Sequence, residues 1–270
     1  MKKILLIGSE GLVGKSFYSK SFAKFSIDRI DKTNINELNS RLNNKYDCLI
    51  YLALSKDYKS RTFSKDIMKV NVEIFRDILE KAVDRIENVI FFSTGSVYKK
   101  SSEALVENSP VDYQSKNPYI LSKIISEMIT QSYEDYFNSI ALIRPFYIYG
   151  KNQNRNMLFQ NMKMKVLNKE QIVIGKNGGL IFNPIYVDDV VTFINQLVMK
   201  QTSGRHIYNF CGDEILSLKD LIHKIAELFN IEPLIEEQDR ERDFVVGNKN
   251  NKFACSFSLK EGLEATFNGN

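Results

Sequence analysis

Short, uninterrupted apolar runs alternate along the first 150 residues with longer stretches in which apolar side chains recur every three or four positions. The runs at 4–7, 48–54, 89–93 and 140–144 have the length and continuity of strands buried on both faces, and a shorter run at 25–28 reads as a further strand. Helical spacing predicts helices over 14–22, 34–42, 65–82 and 119–137. Strands alternating with helices predict the α/β class, with a doubly wound parallel sheet. Beyond residue 150 the alternation loosens. Helices are predicted over 156–167, 187–200 and 217–229, the last with Ser217 as its N-cap, and short strands over 172–174 and 207–210. Three glycines within 175–179 mark a loop, and the tail after Ile231 is polar and without clear period.

The turn after the first run reads Gly8-Ser9-Glu10-Gly11-Leu12-Val13-Gly14 and opens the first predicted helix. Glycines at that spacing let the backbone turn tightly and approach a pyrophosphate, whose charge then meets the positive end of the helix. Asp28, 20 residues after Gly8 and at the end of the second predicted strand, is placed to accept hydrogen bonds from an adenosine ribose. Loop, strand and acid in this order predict a Rossmann-type site for NAD or NADP. Asp28 repels a 2′-phosphate and favours NAD, whereas the adjacent Arg29 would accommodate one. Gly14-Lys15-Ser16 mimics the end of a nucleoside-triphosphate P-loop, but that motif needs a glycine at position 9, where Ser9 stands. The expected organisation is a dinucleotide-binding domain over 1–150. A small, interleaved substrate-binding lobe follows over 151–270, with 183–210 returning to the first domain's core.

Composition narrows the class further. With 43% hydrophobic and 26% charged residues the chain is neither fibrous nor disordered. Lys and Arg number 37 against 33 Asp and Glu, an excess too small and dispersed to argue nucleic-acid binding. Cys48, Cys211 and Cys255 lie far apart and only His206 and His223 are present, so no metal-ligand spacing or histidine triad is expected. No stretch of about 18 apolar residues suggests a membrane span. The run at 4–7 is too short for a signal peptide and is broken by Gly8, Ser9 and Glu10, so a cytoplasmic protein is expected.

Pro118-Tyr119-Ile120-Leu121-Ser122-Lys123 places Tyr119 and Lys123 four residues apart, on one helical face. An ammonium beside a phenol stabilises the phenolate, and a tyrosine so tuned exchanges a proton with a hydroxyl or carbonyl while hydride moves. Ser93-Thr94-Gly95-Ser96-Val97-Tyr98 closes the fourth predicted strand, at the end of the sheet where ligands bind. Thr94 there can hydrogen-bond the reacting oxygen and share its proton with Tyr119.

Taken in order, these segments resemble the extended short-chain dehydrogenase/reductases, of the NAD-dependent epimerase/dehydratase type acting on nucleotide sugars. The resemblance covers roughly residues 2–230. It includes Asp31 in Asp31-Lys32-Thr33-Asn34, similar to the family's adenine-contacting acid. Leu52-Ala53-Leu54-Ser55 resembles the small-residue turn along the cofactor, and Asn71 the family's cofactor-side asparagine. Arg144-Pro145-Phe146-Tyr147-Ile148-Tyr149-Gly150 resembles Arg-Pro-x-Asn-Val-Tyr-Gly, and Asn183-Pro184-Ile185-Tyr186-Val187-Asp188-Asp189-Val190 a later Ile-x-Val-Asp-Asp-Val element. In the tail, Arg240-Glu241-Arg242-Asp243 resembles an Arg-x-x-Asp element that holds the sugar diphosphate, to which a guanidinium fork is suited.

The resemblance implies Thr94, Tyr119 and Lys123 as the catalytic residues. It implies cofactor contacts from Gly8, Gly11, Leu12, Val13, Gly14, Asp28, Arg29, Asp31, Leu52, Ala53, Leu54, Asn71, Ser93 and Pro145 as well as Tyr119 and Lys123. Substrate contacts are expected from Thr94, Gly95, Ser96, Tyr119, Tyr147, Arg240 and Asp243. Two departures stand out. Tyr147 replaces the family's asparagine. Gly95 and Ser96 follow Thr94 where the family's dehydratases carry Asp-Glu, which argues against water elimination. The expectation is a 4-keto-sugar reductase on a nucleotide-activated hexose. A 4-epimerase with tightly bound NAD is the alternative, and a non-catalytic nucleotide sensor or scaffold stands behind both. The reductase is preferred because an epimerase must let the keto sugar rotate and the chain has little substrate lobe to do it. The resemblance also implies a homodimer through the helices at 65–82 and 119–137.

Overall fold

A computed structural model describes residues 1–200, 202–241, 243–249 and 253–267. The chain divides into two compact units. The first comprises Met1–Lys99, Ser109–Pro145 and Val191–Tyr208, and the second Lys100–Asn108, Phe146–Val190 and Asn209–Asn270. The short excursion at 100–108 and the return at 191 set these boundaries.

In the first unit a central sheet is built from β1 (Lys3–Ile7), β2 (Ser26–Ile30), β3 (Tyr46–Tyr51), β4 (Ile86–Phe92) and β5 (Ser139–Pro145). The sheet order is β5-β4-β3-β1-β2, every one of these pairs parallel, and the strand Gly204–Phe210 extends it beyond β5. Order reverses at β1, with β2 on one side and β3 on the other, which is where doubly wound sheets open a ligand crevice. Alternate residues feed the two faces. Leu5, Ile7, Leu49, Tyr51, Val89, Phe91, Ile140 and Leu142 pack into one apolar cluster, while Ile4, Leu6, Ile50 and Ile90 are equally buried. Phe75, Tyr51 and Phe91 stack at the heart of that cluster, with Phe75 centred 4.4 Å from Phe91 and 4.7 Å from Tyr51.

Two sequence expectations shift here. The second strand is Ser26–Ile30, not 25–28, so its last residue is Ile30 and Asp28 lies mid-strand, opposite Leu5. The predicted helix at 65–82 is a helix in three phases: α-helical Lys65–Met68, a π-helical turn Lys69–Glu73, then α-helical Ile74–Ala82. A π turn lengthens the backbone hydrogen bond by one residue and leaves carbonyls under-used. Here two carbonyls are taken by side chains: Val70 O accepts from the Tyr51 hydroxyl at 2.5 Å, and Asn71 O from the Ser126 hydroxyl at 2.7 Å.

Among the described residues, the second unit holds three small sheets and three helices. Ile148–Tyr149 pairs with Ile185–Tyr186, and Ile172–Gly175 with Ile235–Gln238. Ile181–Phe182 is flanked by Leu216–Ser217 and Phe244–Val245. Ser217 caps the helix Leu218–Phe229 through a reciprocal pair with Asp220. Buried Asn183 donates to Gly212 O and Gly247 O and accepts from Gly247 N, tying three segments together. Among the described residues no helix is long and apolar enough to cross a membrane, and no group of three His, Cys, Asp or Glu could hold a metal ion.

Candidate active site

The glycine turn leaves β1 at Gly8, whose φ of +87° is open to glycine at little cost. Gly8 N donates to Ile30 O at 2.8 Å, and a Cβ on Gly8 would lie 2.6 Å from Ala53 N. The turn is thereby packed against the ends of both neighbouring strands. Leu52, Ala53 and Leu54 follow β3 rather than completing it. Gly14 sits inside the helix α1 (Leu12–Ser21), where a Cβ would meet Gly8 O at 2.5 Å and Ser9 Cα at 2.8 Å.

Gly11 is different. A Cβ there would meet only Gly8 O, at an ordinary 3.5 Å. The chain's own packing does not demand a glycine at 11, and its backbone is open to approach from outside. Gly11 caps α1 with no side-chain hydrogen bond, and the first turn carries no acid. The N–H groups at Leu12 and Val13 therefore face outward at the positive end of the helix dipole, as an anion site requires.

Asp31, not Asp28, is the acid beside this turn. Its carboxylate accepts the Ser9 hydroxyl at 3.4 Å and both the amide and hydroxyl of Thr33 at 2.6 Å. Those Thr33 bonds hold it below the usual carboxylate range. Asp28 is instead engaged by the Tyr46 hydroxyl at 2.7 Å and the Arg41 guanidinium at 3.4 Å. The strand's shifted register is the reason. Arg29, on the opposite face, lies 3.9 Å over the Tyr18 ring and pairs with Glu10 of the glycine turn at 3.9 Å; Glu10 also pairs with Lys15 at 3.2 Å.

Tyr119 and Lys123 project from the helix Pro118–Ser132, which Asn117 caps by accepting from Tyr119 N and Ile120 N. The predicted helix to 137 ends at Ser132 and gives way to a tight turn at Glu134–Tyr136. Tyr119 is partly exposed, and Thr94 lies near enough to its hydroxyl to pull the phenol's pKa down. Thr94 is buried, follows β4, and accepts from Ser96 N at 3.2 Å. Gly95 is buried and Ser96 exposed. Tyr58 presents its ring edge-on to Tyr119, centroids 6.1 Å apart.

The expected lowering of the Tyr119 phenol is not found. Burial pushes it up to about 12, with Thr94 pulling the other way. The reason is where Lys123 goes. Its ammonium, 3% exposed, donates to Phe92 O at 2.7 Å and lies 5.0 Å from the Phe91 ring centre. Burial lowers it to about 8, while Glu127 one turn further on supports the charge. Three N–H donors stand on an ammonium, and Phe92 O accepts one of them.

Behind Lys123 lies a buried ion pair absent from the sequence expectations. Glu127 takes Arg144 through two bonds, Nε–Oε1 at 3.0 Å and Nη2–Oε2 at 2.6 Å, and also accepts the Ser93 hydroxyl. Arg144 in turn lies 4.6 Å from the Tyr98 ring centre. Asn71 is wholly buried: its Nδ2 donates to Ser122 Oγ at 2.8 Å and its Oδ1 accepts from Ser55 N at 3.3 Å. It braces the tyrosine helix against the loop after β3. The spacing of Tyr119, Lys123 and Glu127, four and four, was the signal available for the ion pair.

Tyr147, Arg240 and Asp243 belong to the second unit. Tyr147 has φ +51° and packs edge-on to Phe182, ring centres 5.0 Å apart; Asp243 helps raise its phenol, after burial. Asp243 pairs with Lys100 at 3.2 Å, and Arg240 donates to Gln238 at 3.3 Å. Arg242 lies outside the described residues. Pro145 ends β5.

A parallel sheet with a glycine turn at its switch point, an acid after the second strand and a Tyr–Lys helix beside the fourth defines a dinucleotide-binding oxidoreductase architecture. The chain belongs to the NAD dependent epimerase/dehydratase family, whose model matches residues 13–211. It is 24% identical over 195 residues to an uncharacterised UDP-glucose epimerase, YtcB, of Bacillus subtilis, covering 72% of this chain and 60% of that protein. The chain thus spans less than two thirds of that relative's length. It is 26% identical over 239 residues to a GDP-6-deoxy-D-talose 4-dehydrogenase of Aggregatibacter actinomycetemcomitans, covering 84% of this chain and 80% of the other. In structure it is similar to a UDP-glucuronic acid 4-epimerase from Bacillus cereus in complex with UDP-glucuronic acid and NAD. That likeness has a TM-score of 0.82 at 21% identity over 98% of each chain.

Proposed function

We propose that the protein is an NAD-dependent oxidoreductase acting at C4 of a nucleotide-activated hexose, reducing a 4-keto sugar. The observation that carries this reading is Tyr119, beside Thr94 and on the same helix face as buried Lys123, on a sheet whose glycine turn is shaped for a pyrophosphate. NAD, when bound, supplies or accepts the hydride. Tyr119 gives its proton to the C4 oxygen as the carbonyl is reduced, and takes it back in the reverse direction. Thr94 orients that oxygen. Lys123 holds the nicotinamide ribose. Gly11 and the N-terminal amides of α1 take the pyrophosphate, and Asp31 takes the adenosine ribose. An acid there repels a 2′-phosphate, and Arg29 is already committed to Tyr18 and Glu10, so NAD is favoured over NADP.

The absence of an acid at Gly95 and Ser96 speaks against water elimination, which leaves reduction and epimerisation. The Aggregatibacter relative, a 4-dehydrogenase by name, supports the reductase. The Bacillus cereus epimerase, alike over 98% of each chain, supports a 4-epimerase as the second reading and weakens the argument from a small substrate lobe. Leu121 and Met128 stand exposed on the tyrosine helix, which supports pairing of two copies.

The test is a panel of nucleotide sugars with purified protein. Net NADH oxidation with a nucleotide 4-keto-6-deoxyhexose, lost in Tyr119→Phe while NAD binding persists, is the expected result. Interconversion of C4 epimers with no net change in NADH would establish the second reading. Binding of NAD with no turnover of any sugar refutes both and leaves a sensor.

A further inference from the structure

Tyr58 takes no part in the chemistry proposed for Tyr119, yet its ring meets that of Tyr119 at 70°, centroids 6.1 Å apart. Edge-on contact is a favoured approach of two aromatic rings and restrains both. Among the described residues no other aromatic ring is in contact with Tyr119. The contact matters because of where Tyr119 stands. Helical side chains lean back over the turn that precedes them. Tyr119 is the second residue of its helix, Pro118–Ser132, so it has no preceding turn to lean on. The loop after β3 takes the place of that turn.

A closed circuit of contacts brings the loop there. Tyr119 O accepts the Ser122 hydroxyl at 2.7 Å, and the oxygen of that hydroxyl accepts Asn71 Nδ2 at 2.8 Å. Asn71 Oδ1 accepts Ser55 N at 3.3 Å, and Ser55 O accepts Tyr58 N at 3.2 Å. The Tyr58 ring then returns to Tyr119. Asn71 and Ser122 are wholly buried, so the bonds joining loop to helix are shielded from water. The loop is bracketed as well. Asp57 N donates to Ser55 Oγ at 3.1 Å, and the Asp57 carboxylate accepts the Ser64 hydroxyl at 2.7 Å. The ring of Tyr58 is therefore carried on a held segment and not on a free one.

We propose that Tyr58 is a positioning residue, whose ring holds the Tyr119 ring in the orientation that keeps its hydroxyl near Thr94. The inference rests on the role proposed for Tyr119 and adds to it a residue from another segment that touches none of the reacting atoms. Acetylation of the full chain by N-acetylimidazole, followed peptide by peptide by mass spectrometry, tests it without any sugar. Tyr113, 65% exposed, is the reference within each sample. Tyr58→Ala is expected to raise the rate at Tyr119 relative to Tyr113 by about fivefold to tenfold, and Tyr58→Phe, which keeps the ring, to leave it within about twofold of wild type. NADH affinity, by fluorescence titration, is expected to be the same in all three proteins. With a sugar that is turned over, kcat falls by a like factor in Tyr58→Ala, KM is unchanged, and Tyr58→Phe restores kcat. Circular dichroism checks folding; should Tyr58→Ala not fold, Tyr58→Leu, which fills the space without a ring, takes its place. A wild-type rate at Tyr119 in the ringless variant, a phenylalanine variant that behaves like it, or a loss of NADH affinity alongside overturns the proposal. A protein that shows the expected acetylation pattern but turns over no sugar refutes the proposed reaction and leaves the positioning of Tyr119 standing.

Discussion

Replacing Lys123 by methionine is expected to cost the enzyme its chemistry while relieving its fold of a burden that depends on pH. Lys123 is 3% exposed, and burial lowers its ammonium from 10.5 to about 8. At about 1.4 kcal/mol per pK unit this is a penalty of about 3 kcal/mol on holding the charge in the folded state. Below pH 8 folded and unfolded chains are both protonated, and the folded one bears the whole penalty. Between about 8 and 10.5 the unfolded chain keeps a proton that the folded chain has released, so wild-type stability rises with pH. Above 10.5 the penalty is gone.

Methionine has similar length and no charge, so the variant lacks this dependence. It also forfeits the bond to Phe92 O, at about 1–3 kcal/mol if that carbonyl stays unpaired. The two effects nearly cancel at pH 7. By pH 10.5 only the lost bond remains, and the variant is the less stable protein. Urea denaturation of both proteins at half-unit steps from pH 7 to 10.5 measures the difference directly. Because other groups titrate alike in the two chains, the difference isolates Lys123. A difference that stays flat across that range refutes the reasoning.

Other substitutions separate structural from binding roles. Glu127→Gln leaves the Arg144 charge buried without its partner, so a loss of about 3–5 kcal/mol in urea-derived stability is expected, and a loss below about 1 kcal/mol sinks the reading. Gly14→Ala drives a Cβ into Gly8 O and Ser9 Cα, backbone atoms that cannot swing aside; destabilisation of about 1–3 kcal/mol and loss of NAD retention on gel filtration are expected. Asp31→Asn should weaken NAD and narrow its preference over NADP, measured by fluorescence titration of the reduced cofactors. Asp28→Asn should leave both affinities alone and lower the melting temperature, since it breaks the contacts to Tyr46 and Arg41. The reverse pattern would restore Asp28 as the ribose acid.

The central strands were legible because burial on both faces writes itself as an unbroken apolar run, as at Ile4–Ile7 and Val89–Phe92. β2 is an edge strand whose Asp28 is half-buried against Tyr46 and Arg41 and whose Arg29 is exposed on the other face, so it carries no such run, and its end lies two residues beyond the sequence expectation. That end decides which acid stands beside the glycine turn: Asp31, which follows Ile30, rather than Asp28. Tyr119, Lys123 and Thr94 could be read because spacing and strand position alone bring them near one another. Where the Lys123 ammonium points could not be read, since Phe92 O is a backbone acceptor and leaves no mark in side-chain pattern. Asn71 shows another limit. Its bracing role could not be read, because its partners, Ser55 and Ser122, come from two other segments.

The π turn at Lys69–Glu73 makes the helix around it a two-phase object. Each residue of an α-helix rotates the next by about 100°. Deleting one residue between 69 and 73 would let the segment close as a regular α-helix, with better local hydrogen bonding. It would also swing Phe75, Ile78, Leu79 and Ala82 by that angle relative to Asp66 and Ile67, out of the aromatic stack with Tyr51 and Phe91 or else dragging the preceding loop with them. The helix that looks most tolerant of a length change is therefore the one least able to absorb it. Its extra residue acts as a fixed gear offset between the loop after β3 and the core beneath the sheet.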